Sequence, residues 1–176
     1  RDNEKLVSSA ILEELRVWVA NNCFDMVDRR GARNVIDSRF VSKWKLVNDV
    51  TAGGTAKVGP AKANRVIRMR LTLRGFKDWD ASTINNYSGT ASRTTQKIIS
   101  SEVACNSDFE FVSIDINKAF LQGVTYAEIN QLTGEAERTV HFTLPTGVGK
   151  YLRQLPGFES YDERLHVLRC IKPGTG

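Results

Sequence analysis

The sequence predicts an α+β fold in which an antiparallel sheet, containing a long basic hairpin, packs against helices. Near the start of the 176 residues, apolar side chains recur at helical spacing. Further along, two segments alternate between apolar and basic residues, and three shorter apolar runs have the composition of strands. The chain is 41% hydrophobic and 26% charged, which is typical of a globular protein and argues against disorder. No apolar run reaches the roughly 18–20 residues that a membrane-spanning helix needs.

The first predicted element is an amphipathic helix. Its apolar stripe consists of Val7, Ile11, Leu15 and Trp18, at spacings of four, four and three residues. Glu14 is expected on the solvent side.

Segments 39–47 and 65–74 predict the two strands of a hairpin. In each segment apolar residues fall on one face and arginine or lysine on the other, which is the period-2 pattern of a half-buried strand. The sequence between them is rich in Gly, Ala and Thr, as expected of a flexible connection.

The charge of the chain is concentrated in this hairpin. Residues 37–77 contain ten basic residues and two acids, a net charge of +8, whereas the remaining 15 basic and 18 acidic residues give −3. A one-sided basic stretch indicates contact with a polyanion such as nucleic acid. The alternative is a solvated sheet edge, because basic residues also protect exposed strands from aggregation.

A second helix is predicted over residues 92–105, with Ile98, Ile99 and Val103 facing the core. The apolar run 109–116 predicts a mostly buried strand. A short helical turn should follow it and end at Gly123.

Asp115 is the best candidate for chemistry because it is a carboxylate at the end of an apolar strand. One interpretation is a ligand for Mg²⁺, which prefers oxygen donors. The other is a structural carboxylate that pairs with Lys118 or with the backbone N–H groups of the turn.

The last third of the chain predicts strands at 139–144 and 165–170 but no catalytic motif. Residues 147–150 read G-V-G-K, yet they lack the G-x-x-x-x-G-K-[ST] spacing of a phosphate-binding loop. Residues 161–163, Y-D-E, are expected to form a surface turn. The two histidines have no nucleophile or acid at a recognisable spacing.

Cysteine usage and the N-terminal sequence indicate an intracellular protein, cytoplasmic or nuclear. Cys23, Cys105 and Cys170 are widely spaced and form no CxxC, so buried reduced thiols are expected rather than a zinc site. No basic segment followed by an apolar run marks a signal peptide. The chain begins with Arg, so we expect a fragment or a processed piece.

Several motifs, in order, resemble the reverse transcriptase domain of Ty1/copia-type retrotransposons over about residues 10–176. The fingers hairpin of that family reads roughly K-W-x-x-K followed by K-A-R-L-V-x-x-G-F. Here residues 43–45 read K-W-K and residues 68–76 read R-M-R-L-T-L-R-G-F. The first palm motif of the family, roughly D-V-x-x-A-F-L-x-G, resembles D-I-N-K-A-F-L-Q-G at 115–123.

The resemblance implies a division into a fingers-like region, 1–108, and the start of a truncated palm, 109–176. It implies that Asp115 is the first catalytic carboxylate and a ligand of both Mg²⁺ ions. Ile116 would offer its carbonyl to the metal, and Phe120 would act as the steric gate beneath the sugar.

The resemblance also assigns roles to the hairpin. Arg70, and with less support Arg68, would hold the triphosphate of the incoming nucleotide. An RNA or DNA template-primer would lie against a second set of basic residues, namely Lys43, Lys45, Arg65 and Arg74. Two-metal nucleotidyl transfer needs such cations on the phosphates.

The chain departs from the family at the second half of the active site. No Asp-Asp pair occurs, and the thumb and further palm are missing. One carboxylate does not hold two Mg²⁺ ions, so we predict that this chain alone does not polymerise DNA and binds Mg²⁺ poorly. The alternative is a domesticated, non-catalytic module that serves as a structural or binding subunit. Either interpretation leaves apolar surface that the missing palm and thumb or another protein chain would cover.

Overall fold

A computed structural model describes residues 2–47, 64–84, 90–112, 114, 116 and 118–173. Its helices are α1 (Asp2–Ala20), α2 (Arg93–Cys105), α3 (Tyr126–Thr133) and α4 (Gly149–Leu152). Its strands are β1 (Phe24–Asp28), β2 (Val35–Val47), β3 (Asn64–Leu73), β4 (His141–Thr143) and β5 (His166–Cys170). Short 3-10 turns occupy Arg29–Gly31, Gly75–Lys77 and Ala119–Gln122.

The five strands form one mixed sheet in the order β1-β5-β4-β2-β3. Four strand pairs make up the sheet, and three are antiparallel, but β2 and β4 run parallel, with Val35 opposite His141. The expectation of a purely antiparallel sheet is therefore wrong. A parallel pair needs a crossover of a dozen or more residues, and the long segment between β3 and β4, which contains α2 and α3, provides it.

The core lies between α1 and the sheet, as the helical pattern predicts. Leu15 and Trp18 are almost completely buried, and the Trp18 ring lies 6.1 Å from Phe24 and 6.3 Å from Phe142. Phe24 and Phe142 meet edge to face at 5.6 Å. This cluster packs the first helix against two strands that are distant in the sequence, β1 and β4.

Glu14 lies against β3 rather than on the solvent side of α1, so the expectation for it is wrong. Its side chain is 11% exposed, and its Oε1 accepts hydrogen bonds from the backbone N–H of Leu71 at 3.2 Å and from Trp18 Nε1 at 3.1 Å. β3 is an edge strand, and its outward N–H groups need acceptors. A carboxylate on the covering helix is such an acceptor.

Helix α2 forms where predicted but does not bury its apolar residues. Ser92 caps it by accepting the backbone N–H of Thr95 at 3.1 Å. Ile98 and Ile99 are 58% and 49% exposed, so the prediction that they face the core is wrong. Periodicity reveals an apolar stripe but does not reveal which surface, if any, covers it.

The predicted buried strand at 109–116 is also wrong for the residues that the structure describes. Phe109, Phe111, Val112 and Ile114 are 58–81% exposed and belong to no strand. An apolar run favours extended chain, but a strand also needs a neighbouring backbone to pair with. Among the described strands, none pairs with this segment.

Among the described helices and strands, β1, α3 and the short α4 were not foreseen from the sequence. β1 is short and pairs with β5 through all five of its residues. Helix α3 begins with a capping box of Thr125 and Glu128 and ends at Gly134, whose φ is 72°. The predicted strands near 139–144 and 165–170 are confirmed as β4 and β5.

Two local expectations also need correction. Tyr161 is 2% exposed rather than part of a surface turn, and burial raises its pKa to about 12. Cys105 is exposed at the end of α2, whereas Cys23 and Cys170 are buried thiols as predicted. Within the described ranges, no helix is long and apolar enough to cross a bilayer.

Candidate nucleic-acid interface

The predicted hairpin forms, and its register assigns each residue to a face. Ten residue pairs run from Ser38 opposite Leu73 to Val47 opposite Asn64. Because side chains alternate along a strand, Phe40, Trp44 and Leu71 share one face. The connecting loop, 48–63, lies outside the described residues.

The apolar face of the hairpin is buried at the base of the hairpin and exposed farther out. Leu71 and Leu73 are buried beneath α1, but Trp44, farther from the base, is 52% exposed. The hairpin is therefore anchored at one end by the core and by the hydrogen bond from Leu71 to Glu14.

Among the side chains that the structure describes, the opposite face presents four exposed cations, which we call the basic face: Arg39, Lys43, Arg68 and Arg70. Lys43 lies directly opposite Arg68, and Arg39 lies opposite Thr72. Like charges directly across a sheet repel each other. None of the four forms a salt bridge with any residue that the structure describes. Sequence reasoning counted Arg39 among the basic residues but did not name it as a site residue.

Three other basic residues of this region were predicted to contact nucleic acid: Lys45, Arg65 and Arg74. Lys45 lies in β2 and Arg65 in β3, but their side chains lie outside the described part of the structure. Arg74 follows the hairpin and is 3.0 Å from a carboxylate oxygen of Asp37, and Lys77 is 2.9 Å from the other. The charge of Arg74 is thus compensated, unlike those on the basic face.

The ion pairs at Asp37 have an electrostatic consequence. The hydrogen bond from Lys77, with the charge of Arg74, holds the pKa of the Asp37 carboxyl below its ordinary value of 3.8. The Asp37 carboxylate therefore holds these two cations at the base of the hairpin.

A second carboxylate joins the base of the hairpin to the rest of the sheet. Asp78 accepts hydrogen bonds from Asn34 Nδ2 at 3.1 Å and from Arg138 at 2.6 Å. Burial raises the pKa of Asp78, but hydrogen bonds from the backbone of Asp80, from Asn34 and from Arg138 outweigh it, so the net shift is downward. The loops beside β2, β3 and β4 meet at this side chain.

The palm-like motif is only partly described. Asp115 lies outside the described residues, so its roles as a catalytic carboxylate and Mg²⁺ ligand stay predictions. Ile116 and Phe120 are 62% and 71% exposed. Lys118 is 3.6 Å from a carboxylate oxygen of Glu14. In the described ranges, no three His, Cys, Asp or Glu residues are grouped to hold a metal.

The burial and hydrogen bonds of Leu121 hold the turn that carries Phe120 in place. Leu121 is buried, and its carbonyl oxygen accepts a hydrogen bond from Lys172 Nζ at 3.0 Å and a weak one from Cys23 Sγ at 3.7 Å. Phe120 lines a shallow apolar groove of about 260 Å³ with Gly123 and Pro173. The helical turn closed by Gly123, expected from the sequence, is confirmed.

The backbone of the G-V-G-K segment, residues 147–150, forms a hydrogen bond with a glutamate side chain and not with a phosphate. Glu163 Oε1 accepts the backbone N–H of Gly149 at 2.9 Å. A Cβ at Gly149 would lie 2.7 Å from that oxygen, so a larger residue there would require the Glu163 side chain to shift. The sequence interpretation that this segment is not a phosphate-binding loop agrees with this contact.

Comparisons of the chain with models of known protein families, with curated proteins and with solved structures found no match.

Proposed function

We propose that the chain binds nucleic acid through the basic face of its hairpin. The observation that carries this proposal is the exposure of Arg39, Lys43, Arg68 and Arg70 on one face, without a salt bridge to any described residue. The alternative is that the charges protect an exposed sheet edge from aggregation. Charges of mixed sign would serve that purpose equally well. Placing Lys43 opposite Arg68 costs stability, and a polyanion offsets that cost.

The ligand is the phosphate backbone rather than a base sequence. Arginine and lysine on a flat, exposed strand surface contact phosphates without reading base edges. Such contacts release counterions, so the affinity falls steeply as salt rises.

Within this proposal, the resemblance to copia-type reverse transcriptases supplies a specific role. The hairpin would be the fingers of an RNA-directed DNA polymerase, with Arg68 and Arg70 near the triphosphate of the incoming nucleotide. Asp115 and Phe120 would belong to the start of its palm. Mg²⁺ would bind only when the missing carboxylates join Asp115.

A second candidate is a non-catalytic subunit of a larger assembly. The exposed apolar side chains of Phe109, Phe111 and Ile114 favour it, because an uncovered apolar surface of this kind usually meets a partner. Sequencing the coding region beyond Gly176 separates the two candidates. An acidic-pair hairpin downstream supports the polymerase, and a stop codon supports the subunit.

The binding proposal is tested with a single-stranded RNA oligonucleotide and the double variant Arg68→Gln/Arg70→Gln. Fluorescence anisotropy over a series of salt concentrations gives the slope of log affinity against log salt. Because the variant removes two phosphate-binding cations, we expect the slope on this single-stranded RNA to fall by about 1.4.

The matched control, Arg16→Gln/Arg93→Gln, removes the same charge from the exposed surfaces of α1 and α2. It should leave the slope nearly unchanged. Equal slopes for the hairpin variant and the unmodified chain would show that the basic face is only a solvated edge.

A further inference from the structure

A second basic surface lies at the other end of the sheet from the hairpin. There a groove of about 550 Å³ is lined by Asp28, Arg29, Arg30, Arg164, Leu165 and His166. We propose that this groove binds a phosphate group. The groove contains none of the hairpin residues. A test of phosphate binding here is therefore independent of nucleic-acid binding by the hairpin.

Strand pairing brings the two halves of the groove together from distant parts of the chain. Asp28, the last residue of β1, lies opposite His166, the first residue of β5. Just beyond, the backbone N–H of Arg29 donates to the carbonyl of Leu165 at 2.8 Å. The groove is therefore built on the rigid end of two paired strands.

The guanidinium groups in the groove are available to a ligand. Arg29 Nη2 donates to the backbone carbonyl of Glu163 at 2.9 Å, which orients the group but leaves its charge unpaired. Arg30 and Arg164 are exposed, and neither side chain has a partner among the described residues. Three guanidiniums thus share one groove, and none forms a salt bridge with a residue that the structure describes.

The nearby carboxylates accept hydrogen bonds from backbone N–H groups. Asp28 Oδ1 accepts the backbone N–H of Arg30 at 2.7 Å, and Asp162 Oδ1 accepts that of Arg164 at 2.7 Å. Glu163 reaches the backbone of Gly149. These acids shape the two turns that carry the arginines, and they form no ion pairs with the guanidinium groups.

His166 adds a further hydrogen-bond donor. Its Nδ1 accepts the backbone N–H of Asp162 at 3.0 Å, so in the neutral ring the proton sits on Nε2. The ring stacks on buried Tyr161, with centroids 6.2 Å apart, which fixes its plane. An Nε2–H donor beside three guanidiniums suits an anion with several acceptor oxygens.

Phosphate is the anion that this donor set fits best. Planar guanidinium groups pair with phosphate oxygens through two parallel hydrogen bonds, and a phosphate has enough oxygens for several of them. The same chemistry is offered by a free phosphate, by a small phosphorylated molecule and by the backbone of RNA.

The test is a titration of the ¹⁵N-labelled chain with inorganic phosphate at constant ionic strength, followed by amide chemical shifts. We expect saturable shifts for residues 28–30 and 164–166. The variant Arg30→Gln/Arg164→Gln should bind phosphate at least tenfold more weakly. Its amide spectrum outside the groove verifies that it remains folded.

Two controls locate the effect. Arg16→Gln/Arg93→Gln removes the same charge elsewhere, and Arg68→Gln/Arg70→Gln removes it from the hairpin. Both should titrate like the unmodified chain at the groove signals. Shifts that never saturate, or equal phosphate affinity in the groove variant and the unmodified chain, would overturn the proposal.

A second arm identifies the source of the phosphate. A single-stranded RNA octamer is titrated against the same groove signals in the Arg68→Gln/Arg70→Gln background, which weakens competition from the hairpin. Tighter binding of RNA than of inorganic phosphate supports a backbone phosphate as the ligand. Tighter binding of inorganic phosphate supports a free or small-molecule phosphate. Binding of neither would refute the site.

Discussion

The pairing of Lys43 with Arg68 across the hairpin makes an unusual prediction: removing one charge should stabilise the protein while weakening its binding of nucleic acid. The two residues are direct partners in the antiparallel register. Their Cβ atoms are then about 5 Å apart, and directly opposed like charges are destabilising. Coulomb's law in water gives a repulsion of about 0.6 kcal/mol for charges about 7 Å apart.

The perturbation is Lys43→Thr, because threonine suits a strand and carries no charge. We expect the free energy of unfolding to rise by about 0.5–1 kcal/mol, the sum of the relieved repulsion and the gain in strand propensity. For a chain of this size the melting temperature should rise by about 1–4 °C. The affinity for single-stranded RNA should fall, with a salt slope lower by about 0.7.

The matched control is Arg39→Thr, which removes a charge from the same face of the same strand. Arg39 lies opposite Thr72, so no directly opposed repulsion is relieved. Both substitutions gain strand propensity. The difference between their free energies of unfolding therefore measures the repulsion between Lys43 and Arg68. Urea unfolding at low and high salt measures it, and the difference should shrink as salt screens the charges.

The reasoning would be refuted if the two variants had equal stability at low salt, or if Lys43→Thr were the less stable. If Lys43→Thr is stabilised but binds RNA like the unmodified chain, the repulsion is real and the basic face serves only to protect an edge.

Two further predictions concern the packing of the chain. Gly149→Ala should lower the free energy of unfolding by about 1–3 kcal/mol, because its Cβ would lie 2.7 Å from a carboxylate oxygen; the control Gly31→Ala, where nothing lies within 4 Å, should be nearly neutral in urea unfolding. Equal costs would contradict the close approach. Ellman's reagent should modify only Cys105 in the folded chain, since burial raises the pKa of Cys23 to about 11 and that of Cys170 to about 12. Rapid modification of three thiols under native conditions would contradict this.

The hairpin was the feature best predicted from sequence, and the reason is local. Period-2 alternation in β2 and β3 assigns each side chain to a face whatever surrounds the strands. The apolar stripe of α1 was predictable for the same reason. In both, the pattern within one segment is sufficient.

Pairing between distant segments was not predictable in this way. The parallel contact of β2 with β4 depends on where the chain returns after α2 and α3, and β1 is too short to show periodicity. Glu14 was assigned to solvent because its partner, the backbone N–H of Leu71, lies 57 residues away.

The order of residues was enough to show that the chain is globular, that its charge is concentrated in one hairpin and that the cations of that hairpin share a face. Which of these cations are free depends on tertiary contacts, because Arg74 is neutralised by Asp37 whereas the basic face has no such partner among the described residues. The fold also brings Arg30 and Arg164 into one groove, through the pairing of β1 with β5. Alternation and charge are properties of a single segment, whereas the pairing of charges depends on which segments meet.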